Sequence, residues 1–481
     1  MPTTVVWFRN CLRLADHAPL VHAAERGTVL PVFVWAPDEH GDWPPGGAHR
    51  WWLHQSLAAL DAALRAKGSR LILRQAASKT ELVSICRAAD ADRVVWHTAY
   101  APALRQRDAE VRDALEAEGI ETRQFAGRIL HDPEQVRTGS GGPYKVYTPF
   151  WNRFREEVTI DPPLDVPRLG PSRGPEAWPE SVDLDALALT DLAQDGVRWA
   201  DGMASEWTPG EAGARDRLAT FLDEALLDYP EGRNVPAARD TSMLSPHLHW
   251  GEISPRTVWH EANAWVTNGP TREAADKFLS EIAWREFSYH VLHHFPDTTT
   301  APLKDKYAAM PWRSDDDALR AWQQGQTGYP LVDAGMRQLW ALGWMHNRVR
   351  MVVASFLTKD LLIRWQDGAA WFWDTLCGAD LANNSMGWQW AAGSGADAQP
   401  FFRIFNPVSQ STTHDPAGDY IRRWVPELAA LPTQHLHAPW TAPGDVLDQA
   451  GVTLGDTYPR PIVDHADARD RALEALQTVN G

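Results

Sequence analysis

Short apolar runs separated by amphipathic stretches open the chain. Residues 5–8, 29–35, 70–74, 93–97 and 122–125 have the length and the β-branched or aromatic content of strands. Between them, residues 48–67 place Trp52, Leu53, Leu57, Leu60 and Leu64 near a 3.6-residue period and stop at Gly68. Residues 79–89 and 102–118 are also helical in pattern, the second stopping at Gly119. This alternation predicts an α/β domain over residues 1–130 built on a doubly wound, parallel five-stranded sheet. Residues 131–205 turn to Pro, Gly and Asp, at 139–143, 161–163 and 170–175, and read as an interdomain connector with a short helix at 149–157. From 206 to 481 the strand pattern disappears. Helical periods recur at 213–227, 255–266, 271–294, 315–324, 332–342, 346–359 and 368–377, with a terminal helix after Pro461. The second domain is therefore expected to be all-α.

Composition narrows the function classes. Lys and Arg total 46 against 63 Asp and Glu, a net charge of −17; this excludes a uniformly basic nucleic-acid coat but allows a local basic patch. No apolar run approaches the ~18 residues of a membrane span, and the first apolar segment is too short for a secretory signal. Cys11, Cys86 and Cys377 are the only cysteines. Three scattered thiols support no disulfide framework and no four-cysteine cluster, which points to the reducing cytoplasm. Tryptophan is far above its usual share, at 25 residues. Most are expected to pack; others could stack on a base or a flavin, or carry an electron. The turn after the first strand, Arg9-Asn10-Cys11-Leu12-Arg13, has no glycine, so the dinucleotide fingerprint is missing, and no P-loop occurs.

Four stretches carry candidate chemistry. Glu281, Trp284 and Arg285 stand at i, i+3 and i+4 and share a helix face, as do Asn347, Arg350 and Met351, with Arg348 pointing elsewhere. Each set alone fits an ordinary amphipathic helix; together they offer a carboxylate, an amide, guanidinium groups and a π surface to a polar aromatic ligand. Trp388 and Trp390, two apart, face nearly opposite ways on a helix. Tyr229 to Arg233, followed by Thr241-Ser242-Met243-Leu244-Ser245-Pro246, gathers hydroxyls and free N–H groups before a helix, an anion cradle or a plain N-cap. His290, His293 and His294 have metal-like spacing, but no carboxylate or cysteine partner is evident, so an exposed helix end is expected and no metal.

Trp7-Phe8-Arg9, Leu12-Arg13-Leu14-Ala15-Asp16, Tyr229 with Arg233, Thr241 to Ser245, Glu281 to Phe287, Thr327-Gly328-Tyr329-Pro330, Trp344 to Arg348, Asp380 with Trp388-Gln389-Trp390, and Phe402 to Pro407 occur in order along nearly the whole chain. Together they resemble the photolyase/cryptochrome family. Gly251 to Pro255 and Trp284 to Tyr289 are most similar to the bacterial class III cyclobutane pyrimidine dimer photolyases. The resemblance implies an antenna domain followed by a helical domain that binds FAD, and a carbon–carbon lyase that acts on dimer-containing DNA as a monomer. A flipped-out dimer would be split by an electron from excited, reduced FAD.

The resemblance also implies roles. Tyr229, Thr241, Ser242, Met243, Leu244 and Ser245 would hold the diphosphate and ribityl. Phe278, Arg285, Arg350, Asp380 and Asn384 would complete the flavin site, with Asn384 near N5. Trp388, Trp365 and Trp312 would pass electrons between flavin and surface. Glu281, Trp284, Asn347, Met351 and Trp390 would form the dimer pocket, while Arg233, Arg348 and Arg403 would meet DNA phosphates. A methenyltetrahydrofolate antenna would lie near Glu39, Trp52 and His54. Asn384, Trp284, Met351 and Trp390 are repair-type residues, which sets a blue-light-sensing cryptochrome second; no long C-terminal extension is seen to serve as an output tail. Two departures stand out: Cys11 replaces the Asp of the family's Arg-x-Asp-Leu-Arg, and Gly378-Ala379-Asp380 replaces Asp-x-Asp, so the carboxylate expected beside Arg350 is missing.

Overall fold

The structure is a computed structural model that describes residues 2–169, 178–190, 200–398 and 402–480; the Gly-Pro stretch at 170–175 lies outside the described residues. Five parallel strands form the sheet: β1 (Thr3–Phe8), β2 (Thr28–Trp35), β3 (Ile72–Gln75), β4 (Arg93–His97) and β5 (Glu121–Phe125). Their order is β3-β2-β1-β4-β5. Val5 pairs with Leu30 on one side and Val94 on the other. Side chains alternate across β1. Val6 and Phe8 pack on the face covered by α1 (Ala18–Ala24) and α2 (Gly47–Arg65), and Val5 and Trp7 on the face covered by α3 (Ser78–Ala89) and α4 (Pro102–Ala117). Helix α1 escapes the sequence pattern. It is about two turns long, started by Pro19 and by the His17 side chain accepting from the Leu20 N–H.

The connector holds α5 (Tyr147–Glu157) and, after it, α6 (Asp201–Glu206). Helices α7 (Glu211–Glu224), α8 (Tyr229–Gly232), α9 (Ser245–Trp250), α10 (Pro255–Ala264) and α11 (Gly269–His294) lead into the helical domain. Then come α12 (Asp316–Gln323), α13 (Pro330–Leu342), α14 (Asn347–Ser355), α15 (Trp365–Thr375) and α16 (Leu381–Ala392), which share its largest apolar core.

The helix expected over 346–359 breaks in two. After Ser355 the chain takes a π turn, Phe356–Asp360, whose five residues are all buried. Two tertiary contacts pull it open. Lys359 Nζ donates to the Ala392 carbonyl at 2.7 Å, and Asp360 meets His465 at 2.5 Å. Buried polar ends must find partners, and here the partners lie off the helix axis.

Helix α2 fastens the two domains. Trp52 Nε1 donates to Glu252 at 2.9 Å, the Gly47 N–H donates to Asp374 at 2.7 Å, and His49 Nε2 lies 3.0 Å from the Ala379 carbonyl. No helix among the described residues is long and apolar enough to cross a membrane.

Candidate functional site

Helix α11 runs for 26 residues from a capping box in which Asn268 accepts from the Thr271 N–H and Thr271 answers the Asn268 N–H. Its length lets one element carry residues to both the surface and the interior. Glu281 and Trp284 are half-buried and Arg285 is buried. Glu281 is paired with Arg233, and with Lys277 at 3.5 Å. Tyr147 of α5 lies flat on Trp284, with ring centroids 3.7 Å apart and planes within 9°. On α14, Asn347 is exposed and Met351 half-buried, and Arg348 bonds Asn234 and touches the Met351 sulfur at 3.8 Å. Trp390 of α16 is half-buried, and Arg403 is exposed. All five residues expected in a dimer pocket therefore reach an accessible surface on α11, α14 and α16.

Deeper in, the site is rich in donors. Arg285 Nη2 is buried with no hydrogen-bond partner, and its Nη1 has only a long 3.4 Å contact with Glu286. Arg350 donates Nε to the Met345 carbonyl at 2.7 Å and has no carboxylate partner among the described residues. Its side chain keeps intermediate exposure although burial pulls its pKa down to about 10. A buried Arg285 with a free Nη2 and an Arg350 without a carboxylate partner suit an anionic, acceptor-rich ligand.

The missing carboxylate at 378 has a steric cause. A Cβ there would lie 2.5 Å from Pro246 Cα and 3.0 Å from the Ser245 carbonyl carbon, so the backbone of the cradle itself occupies the space. Tyr229 is buried edge-on against Phe278, centroids 5.6 Å apart. Thr241, Ser242, Met243 and Leu244 run into α9, with Met243 in the left-handed region at φ 49°. Asn384 Nδ2 donates to the Ala369 carbonyl at 3.0 Å, which fixes its amide.

Asp380 caps α16 by accepting from the Asn383 N–H at 3.1 Å. It also accepts from the Tyr289 hydroxyl and lies 3.9 Å from Arg128 and 3.7 Å from His249. Burial works against its charge, but His249, Arg285 and Arg128 hold the carboxyl well below the usual range. Sequence reading named Asp380 and none of Arg128, Tyr289 or His249, because nothing local marks residues that converge from three elements.

Trp388 and Trp365 are buried in the helical core, and Trp312 is half-buried against it. Gly368 leaves room for the Trp388 ring, since a Cβ there would stand 2.1 Å from it. Trp388 packs edge-on to Phe372 and Trp322 at 5.0 and 6.0 Å.

A cavity lies beyond the carboxyl ends of β1, β2 and β4. Trp7, Arg9, Trp35, Trp43, His49 and His97 are among its walls, with His249, Trp373 and Asp380 on the helical side. This is the switch point of the sheet, where strand order reverses and open α/β sheets bind ligands. The glycine-free turn after β1 excludes the dinucleotide fingerprint but does not close the crevice. None of Glu39, Trp52 or His54 lines it. Trp52 is fully buried and spent on Glu252, His54 points toward Asp185 at 4.0 Å, and Glu39 takes the Ser78 N–H at 2.7 Å. Helical spacing placed them on α2 and just before it without telling which side faces the crevice.

The expected exposed histidine end of α11 needs correction. His290 is fully buried, and its Nε2 accepts from the Tyr144 N–H at 3.0 Å. A carboxylate partner does exist, since Glu134 of the connector meets His293.

Comparison with known proteins agrees with this geometry. Residues 4–168 match DNA photolyase, and residues 278–478 match the FAD binding domain of DNA photolyase. A deoxyribodipyrimidine photo-lyase of Agrobacterium fabrum is 48% identical over 480 residues, covering 99% of this chain and 98% of the relative. Cryptochrome-1 of Arabidopsis thaliana is 39% identical, covering 98% of this chain and 70% of its own length. The crystal structure of a bacterial class III photolyase from Agrobacterium tumefaciens superposes with a TM-score of 0.93 at 46% identity, covering 100% of this chain and 98% of that one. This chain belongs to the photolyase/cryptochrome family, and its helical half is the FAD-binding domain of that family.

Proposed function

We propose that the chain repairs cyclobutane pyrimidine dimers in DNA with blue light, as a class III photolyase. The observation that carries this reading is that Glu281, Trp284, Asn347, Met351 and Trp390 all keep accessible surface on α11, α14 and α16, while α11 also carries the buried Arg285 and α14 carries Arg350, which has no carboxylate partner among the described residues. FAD, when bound and reduced, supplies the electron that opens the cyclobutane ring. Arg285, Arg350, Asp380 and Asn384 hold its isoalloxazine, Phe278 packs beside it, and Tyr229 with Thr241 to Ser245 holds the diphosphate and ribityl. Trp284 and Trp390 stack on the dimer and exclude water from it. Glu281 hydrogen-bonds the dimer where charge develops. Its present partner, Arg233, turns with Arg348 and Arg403 toward phosphates, a salt-dependent contribution that an acidic protein can still provide locally. Trp388, Trp365 and Trp312 would relay electrons from an external reductant toward the flavin.

The crevice at the sheet's switch point takes the antenna chromophore. Its indole walls suit a flat pterin, and Arg9 and Arg107 lie where an acidic tail would be drawn, which supports methenyltetrahydrofolate. The protein works as a cytoplasmic monomer. The test is repair of an oligonucleotide carrying one dimer, under blue light, by FAD-loaded and chemically reduced protein. Restored pyrimidines are expected. FAD-loaded protein that leaves the dimer intact overturns the repair reading in favour of a light-sensing one.

A further inference from the structure

The C-terminal end of α11 carries a group that repair does not use. Three side chains converge there from two distant segments. Glu134 Oε1 lies 2.7 Å from His293 Nε2. Ligand atoms of Glu134, His293 and His294 all fall within 4.8 Å of one another. The His294 ring is held by the Pro133 carbonyl, 3.0 Å from its Nε2, and by the edge-on ring of His290 at 4.5 Å. His290 is not a ligand, since its Nε2 already accepts from the Tyr144 N–H.

We propose that Glu134, His293 and His294 form a solvent-open site for a divalent cation of the zinc class. Two imidazoles and one carboxylate are the donor set such borderline ions prefer, with water completing the shell. The Glu134 carboxylate can only accept, so His293 Nε2 carries the proton that a metal would displace. Glu134 is exposed and the histidines are half-buried, so an ion can enter from solvent. The Glu134–His293 bond would open by only about half an ångström, because donors about 2.0–2.1 Å from a tetrahedral zinc stand roughly 3.3 Å apart. Arg137 pairs with the other oxygen of Glu134, so a bound metal would have to displace this partly exposed guanidinium or share the carboxylate with it. The bound ion would staple the connector to the helix that bears Glu281, Trp284 and Arg285, outside the crevice at the sheet.

The test titrates Zn2+ alone into chelator-treated, FAD-loaded protein by calorimetry. One tight equivalent per chain is expected. Glu134→Gln and His293→Ala should each weaken it by about 100-fold, since even outer-shell changes cost 10–100-fold. His435→Ala, at a histidine outside the cluster, should leave it unchanged. No binding up to about 1 mM, or binding that survives either ligand substitution, overturns the site. FAD content and dimer repair are read separately, so failure here does not touch the repair reading.

Discussion

Two buried charges at the heart of the helical domain are treated in opposite ways. Asp380 is closed. Tyr289, the Asn383 N–H, Arg128 and His249 surround its carboxylate, and it stays ionised despite burial. Arg350 is open. One carbonyl meets its Nε, no carboxylate answers its charge among the described residues, and burial weakens its hold on the proton. A charge satisfied by its own neighbours also serves the fold, and here it sets the N-terminus of α16 and thereby the direction of Asn384, Trp388 and Trp390. A charge without a counter-ion is stabilised by a ligand that brings one. The first should fail by unfolding, the second by altered ligand chemistry.

Removing the closed charge should have the largest effect. Asp380→Asn takes the counter-charge from half-buried Arg128 and buried Arg285, and breaking a buried pair costs about 3–5 kcal/mol. Denaturant unfolding should show that loss, and a change within about 1 kcal/mol would make the Asp380 cluster ornamental.

Acid should act next. His49, His97 and His249 line the crevice beside Asp380, and burial is the first cause of the lowered pKa of each. They are neutral when folded and take up protons when unfolded, near pH 6.5. Their contribution is therefore complete above that pH and is lost as pH falls below it, at up to about 1.4 kcal/mol per pH unit for each ring. Urea midpoints compared at about pH 7.5 and about pH 5.5 should fall on the acid side; equal midpoints would mean that the crevice histidines are solvated.

The accessible pocket should respond without unfolding. Trp390→Ala is expected to weaken binding of dimer-containing DNA by about 1–3 kcal/mol, the worth of one aromatic stack, with FAD retained. Unchanged affinity would assign Trp390 to packing alone.

The open charge should give the smallest and most specific effect. Arg350→Met removes the positive field and keeps the length, so the flavin should become harder to reduce. A tenfold change in the reduced-to-oxidised ratio, about 59 mV for one electron, is the expected size, and Arg350→Lys should recover part of it. A midpoint potential that does not fall in Arg350→Met would show that another group neutralises the site. Restoring a carboxylate through Gly378→Asp is not the converse experiment. Its Cβ would meet the Pro246 backbone, and the change should destabilise α9.

Much of this protein was legible before folding. The five strands, their parallel order class and the long helices follow from hydrophobic period, and each observed strand bound lies within two residues of its expected position. The pairing of Glu281 with Trp284 and Arg285, and of Asn347 with Arg350 and Met351, needs only a helix of 3.6 residues per turn. The opposite fates of Trp388, buried, and Trp390, half-buried, follow from the same geometry.

What escaped the sequence has a common physical origin. The ring around Asp380, the crevice at the sheet's switch point, the Glu134–His293 contact and the π turn after Ser355 each join segments far apart in the chain. Period is a local property, fixed by backbone geometry and read from a dozen neighbouring residues. Charge neutralisation, cavity shape and the room for a single Cβ at Gly378 are sums over every segment that packs at one point, so they exist only once the chain has closed on itself.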